Sequence, residues 1–129
     1  MSIPCDIAII GGGIAGYTAA IRAAQAGKKV VIIEKEKLGG TCLHKGCIPS
    51  KALLRSAEIY STLLNADTYG IKVAEGAVTV DFPGVQQRKE QTVEQLYKGL
   101  QYLMRKHKIT IISGAGRVIG PSIFSPRSG

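Results

Sequence analysis

Ile7–Ile10 is a short, unbroken apolar run that ends in Gly11-Gly12-Gly13. A run of that length bounded by glycine predicts a buried strand of a parallel sheet followed by a tight turn. From Ile14 to Ala26 the residues are small and helix-favouring, and Gly27 supplies a stop. Val30–Ile33 repeats the apolar run and closes on Glu34. Strand, helix and strand therefore occupy residues 5–34, the size of a βαβ unit, and its crossover is expected to be right-handed.

The period then changes. A glycine- and cysteine-containing stretch starts at Gly39, and a helical pattern runs from about Ser50 into Asn65, so that residues 39–66 read as a loop and helix. Leu53, Leu54, Ala57, Ile59, Tyr60, Leu63 and Leu64 give that helix a broad apolar face. A polar connection follows from Asp67 to Asp81. A long helix is expected over 82–107, with Asp81 placed to cap it and Pro83 in its first turn. Val85, Val93, Leu96, Leu100 and Leu103 form its apolar stripe, and Arg105-Lys106-His107-Lys108 loads its C-terminal end favourably. Residues 109–125 read as strands: Ile109–Ser113, then Arg117–Ile119 and Ser122–Phe124 across glycine turns. The final SPRSG looks like a turn into a strand that the chain does not contain, so a portion of a longer protein is expected.

Composition narrows the function classes. The 129 residues are 45% hydrophobic and carry 17 Lys and Arg against 9 Asp and Glu, a net charge of +8. That excludes intrinsic disorder, and no apolar run approaches the roughly 20 residues of a membrane span. The basic charges are dispersed and aromatics make up only 5%, too few for stacking platforms, so neither nucleic acid nor membrane is an expected partner. The N-terminus has no basic start and no small-residue cleavage site. The cytoplasm is the expected location, where three cysteines argue against a structural disulfide framework.

Gly11-x-Gly13-x-x-Gly16 directly follows a strand and opens a helix. In that setting Gly11 permits the turn, Gly13 lets the backbone approach a pyrophosphate, and Gly16 lets helix and strand pack closely. The helix start at Ile14 and Ala15 presents free N–H groups to the phosphates. Glu34, at the end of the second strand, is where a carboxylate accepts the ribose hydroxyls of an adenosine, and it disfavours a 2′-phosphate. Dinucleotide binding follows, although the fingerprint does not separate FAD from NAD.

Cys42 and Cys47 are divided by Leu-His-Lys-Gly. Zinc needs a second ligand pair, for which Cys5, His44 and His107 are the sole candidates, without close spacing; no metal site is expected. Two unrelated structural thiols and a redox pair remain. A disulfide makes a geometric demand, because residues five apart in a regular helix have Cα atoms about 8.7 Å apart, whereas a disulfide spans about 4.4–6.8 Å. If the two bond, the segment between them must break helix, and Gly46 is the natural hinge. A helix starting between Cys47 and Ser50 would then favour thiolate on Cys47. His44 reads as an exposed loop residue, His107 as a surface residue at a helix end, and Cys5 as an inert packed thiol.

IAIIGGGIAGYTAAIRAAQAGKKVVIIEK, followed by LGGTCLHKGCIPSKALLRSAE, resembles the dihydrolipoyl dehydrogenase family of the class I flavin disulfide oxidoreductases. The similarity extends through TVEQLYKGLQYLMRKHKI to SGAGRVIGP and so covers essentially the whole chain. His44-Lys45 stand where Asn-Val is common in the family. Glutathione and mercuric reductases share the cysteine motif with small variations. The resemblance implies a Rossmann-like, three-layer α/β FAD-binding domain with a parallel sheet, incomplete because the chain looks truncated. It makes Cys42 the interchange thiol that attacks substrate and Cys47 the thiol against the flavin, with Lys51 near flavin N5. It gives the remaining FAD contacts to Gly11, Gly13, Ile14, Ala15, Gly16, Glu34, Lys35, Gly40 and Thr41, with Gly114, Ala115 and Gly116 at the adenine. The family oxidises dihydrolipoyl groups on the lipoyl domains of 2-oxo acid dehydrogenase complexes and reduces NAD, as a homodimer. The family's NAD domain and its dimerisation domain, with a His-Glu acid-base pair, have no counterpart in these residues. The chain alone is therefore expected to be inactive. Another disulfide reductase and a non-catalytic nucleotide-binding module are the alternatives.

Overall fold

The computed structural model describes residues 3–121 and the strand backbone of 123–127. Strands β1 (Ile7–Ile10), β2 (Val30–Glu34) and β3 (Thr110–Ser113) form a parallel sheet in the order β1-β2-β3. Helix α1 (Ile14–Gln25) crosses from β1 to β2. Pairing of Ile10 with Ile33 and of Glu34 with Ser113 aligns the C-terminal ends of the strands. Gly11 N–H then donates to Ile33 C=O and Gly114 N–H to Glu34 C=O, at 2.8 and 2.9 Å, so both turns leave the sheet from one edge.

Each face of β2 is covered by a different layer. Val30 and Ile32 point into a core with Ala20, Leu100, Met104 and Ile109 on the helical side. On the other side Gly116, in strand β4 (Ala115–Gly120), packs against Ile33 and Ile10. β4 pairs antiparallel with β5 (Ile123–Arg127) as a separate ribbon. Helices, sheet and ribbon make the three layers that the family resemblance implied. Ser122, assigned above to the last strand, lies outside the described residues.

β1 departs from expectation. Ile7 and Ile10 are exposed, because among the described residues β1 lies at the sheet edge and β2 alone is flanked on both sides. Cys5, just before it, is likewise exposed rather than packed.

The cysteine stretch folds as two helices, α2 (Gly40–His44) and α3 (Cys47–Leu64), joined at Lys45 and Gly46. After a short 3-10 turn at Ala66–Tyr69 and a connection, α4 (Phe82–Lys106) runs back along α3. Asp81 caps α4 by accepting from Gly84 N–H at 3.2 Å. Among the described residues of α3, Ala52 alone is buried; Leu54, Ile59, Leu63 and Leu64 are exposed, so the expected apolar face is mostly uncovered. The buried stripe of α4 is also rotated. Leu100 and Met104 enter the core with Tyr97 packed against it, while Leu96 and Leu103 are exposed. Positions 97, 100 and 104 follow the helical period as well as the expected set does, and contact with α1 and β2 selects them.

Met104→Ala should therefore cost about 2–5 kcal/mol in urea unfolding, against within about 0.5 kcal/mol for Leu96→Ala. Equal costs would place the stripe wrongly.

Candidate functional site

The glycine turn and the cysteine stretch are built against each other. Gly39 N–H donates to Gly12 C=O at 2.8 Å. Gly40 sits so near Gly13 that a Cβ on it would lie 2.9 Å from the Gly13 Cα, and it holds a φ of +65° that side chains rarely adopt. Gly16 is as constrained, since a Cβ there would collide with the Gly11 carbonyl oxygen. The start of α1 can thus lie directly on the β1 turn.

That helix start suits an anion. Among the described residues no side chain caps α1 and its first turn holds no acid, so the Ile14, Ala15 and Gly16 amides keep their partial positive charge for a ligand. Nothing lies within 4 Å of where a Gly13 Cβ would be, which leaves room for a phosphate against the backbone. The residues present therefore fit the pyrophosphate of a dinucleotide.

Glu34 is fixed beside this turn. One carboxylate oxygen accepts from Gly12 N–H at 2.6 Å and the other from Glu36 N–H at 2.8 Å. Burial raises its pKa, but the N–H groups of Glu36, Gly12 and Lys35 and the Lys35 charge together bring it below the ordinary value of 4.5. Glu34, Lys35, Gly40, Thr41 and His44 line one cavity of about 660 Å³. Gly114 joins Glu34 by its backbone bond, and Gly116 lies over the ends of β1 and β2. Ala115, between them, opens β4. The structure thus brings the sequence-expected nucleotide residues to one edge of the sheet, the edge at which ligands bind in open α/β folds.

The cysteines meet the geometric demand for a kink. α2 ends with Lys45 N–H donating to Thr41 C=O, and α3 starts with Ser50 N–H donating to Gly46 C=O. Gly46 folds back until a Cβ on it would lie 3.4 Å from the Cys42 Cα. Both cysteines are free thiols. The Cys42 thiol is pushed above its ordinary pKa, first by a hydrogen bond with the Cys47 thiol, then by burial and by the charge Cys47 can carry. A Cys47 backbone hydrogen bond and the Lys51 charge pull the other way.

Two features lay beyond the sequence expectations. His44 is not an exposed loop residue: it is half-buried in α2, its Nε2 lies 2.8 Å from Leu38 C=O, and its ring meets Tyr97 edge-on at 5.0 Å. In addition, Cys42 opens onto a cleft of about 570 Å³ walled by Ile14, Tyr17, Ile48, Leu96 and Leu103. Its signal was present in the excess of apolar residues on α4 over what one buried stripe needs. His107 caps the C-terminus of α4, at the opposite end of the sheet from Glu34.

A glycine turn with free helix-start amides, a carboxylate fixed beside it and a kinked cysteine pair thus stand together at one end of the parallel sheet. Residues 5–123 match the family model described as pyridine nucleotide-disulphide oxidoreductase, and the chain belongs to this family. It is 57% identical over its full length to a dihydrolipoyl dehydrogenase of Bacillus subtilis, of which it covers 27%. It is 45% identical over 124 residues, 95% of the chain, to the dihydrolipoyl dehydrogenase of Trypanosoma brucei brucei, covering 26% of it. Among solved structures, the Cu(II) complex of the HOCl-induced flavoprotein disulfide reductase RclA from Escherichia coli matches 98% of the chain and 25% of that protein. The TM-score is 0.77 at 28% identity. The chain thus spans about a quarter of the length of the relatives it matches.

The folded state keeps Glu34 ionised below 4.5, so the stability it adds is complete above that pH and is lost as pH falls through the lower folded value. Wild type should lose stability more steeply than Glu34→Gln over roughly pH 5 to 3. Parallel urea midpoints for the two across that range would contradict the assigned role of the carboxylate.

Proposed function

We propose that the chain is the FAD-binding, redox-disulfide portion of a dihydrolipoyl dehydrogenase. The observation that carries this is the joining of the Gly11–Gly16 turn and Glu34 to the Cys42–Cys47 kink through Gly39 and Gly40. The α1 amides would hold the pyrophosphate, Glu34 the adenosine ribose, and Gly114–Gly116 the adenine side. Cys47 and Lys51 would face the flavin. Bound FAD supplies a two-electron acceptor beside the thiols, and NAD accepts those electrons in the whole protein.

The protein's own thiols perform the exchange. A substrate thiolate attacks Cys42 sulfur in the Cys42–Cys47 disulfide; the new S–S bond forms as the old one breaks, and Cys47 leaves as thiolate. The second substrate thiol then displaces Cys42, which leaves a cyclic substrate disulfide and a reduced pair. The apolar cleft at Cys42 suits an uncharged dithiol on an aliphatic arm. Among the described residues its walls carry no charge for the carboxylates of glutathione, which favours a lipoyl group over that alternative. Lipoyl domains of a 2-oxo acid dehydrogenase complex, a homodimeric parent and the cytoplasm belong to the same proposal.

Two measurements test it. FAD titrated into the chain should quench its own fluorescence on binding, and Glu34→Ala should weaken that binding roughly tenfold, the size of a lost hydrogen bond to a charged group. Absent binding, or binding indifferent to Glu34, would sink the nucleotide assignment. Stopped-flow reduction of the oxidised chain by dihydrolipoamide should slow at least about tenfold in Leu103→Asp, with reduction by glutathione little changed. Equal slowing of both thiols would remove the case for an apolar dithiol.

A further inference from the structure

Helix α2 is five residues long, too short to hold its own shape, yet it carries Cys42 and must keep it within bonding reach of Cys47. Its position is set by two adjacent side chains. Leu43 is 8% exposed and belongs to the core. His44 makes a separate tie, with Nε2 at 2.8 Å from Leu38 C=O and its ring edge-on to Tyr97 at 5.0 Å and 73°. Both contacts are firm, since Leu38 is 4% exposed and Tyr97 packs against the core from α4. The other tie from this segment, Lys45 to Glu36 at 3.1 Å, joins two largely exposed side chains and adds little.

We propose that His44 is a positioning residue for the cysteine pair: its bond to Leu38 and its stack on Tyr97 hold α2 where Cys42 and Cys47 can close a disulfide. The residue between the thiols thus acts on them through the backbone, since its Nε2 is turned to Leu38 C=O rather than to either thiol. Fixing α2 raises the effective concentration of one thiol at the other, which favours the disulfide over the dithiol. This rests on the redox function proposed for the pair.

The test uses the chain in a Cys5→Ser background, equilibrated in glutathione buffers and quenched by acid and alkylation. Two chain thiols and one glutathione disulfide give the Cys42–Cys47 disulfide and two glutathione thiols, so electrons and protons balance. Intact mass then reads the fraction oxidised. His44→Ala should lower the equilibrium constant about tenfold, about 30 mV for this two-electron couple. His44→Gln, which retains an N–H donor for Leu38, should recover to within about threefold of wild type, and Arg55→Ala, on the exposed face of α3, should match wild type. Should His44→Ala fail to fold, His44→Leu fills the space without the donor and takes its place. Equal constants in wild type and the donor-less variant, whatever their melting temperatures, would overturn the proposal. A wild-type chain that forms no intramolecular disulfide would instead overturn the redox function itself, and the proposal with it.

Discussion

The close approach of two glycine segments governs the rest of the structure. Gly39 donates to Gly12, and Gly40 rests on Gly13 at a distance no side chain would permit. This contact sets where α2 begins, and therefore where Cys42 lies relative to the phosphate-accepting start of α1. A methyl group at Gly40 would have to push the two loops apart. The separation would disturb the Glu34 cavity and the thiols together, because Gly40 lines the former and starts the helix that carries Cys42.

Burial is distributed accordingly. β2 is buried on both faces, and the residues that carry chemistry stand at its C-terminal end and on the two loops beside it. Much of the remaining apolar surface is spread along α3 and the outer face of α4. Surfaces of that kind mark places where further protein or a ligand packs, and the cleft at Cys42 is the one that reaches a reactive group.

The parts of the fold that could be read from the sequence are those whose causes are local. β1, β2 and Glu34 follow from apolar runs and glycine punctuation, and Asp81 marks the start of α4. The kink between the cysteines was legible because a disulfide cannot span five residues of regular helix. What was not legible depended on partners distant in sequence. The rotation of the α4 stripe onto Tyr97 and Met104 is decided by contact with α1 and β2. The exposure of Ile7, Ile10 and Cys5 follows from β1 lying at the sheet edge. The role of His44 needs Leu38 and Tyr97, and no spacing within LHKG points to either.

The central claim is that the glycine turn, Glu34 and the cysteine kink make one site. Amide NMR during an FAD titration tests it most directly. The account predicts that Gly12–Gly13, Glu34–Lys35 and Cys42–Cys47 shift together along one binding curve with a single Kd, while amides around His107 stay still. Shifts confined to the glycine turn, or distinct curves for the turn and the cysteines, would contradict it.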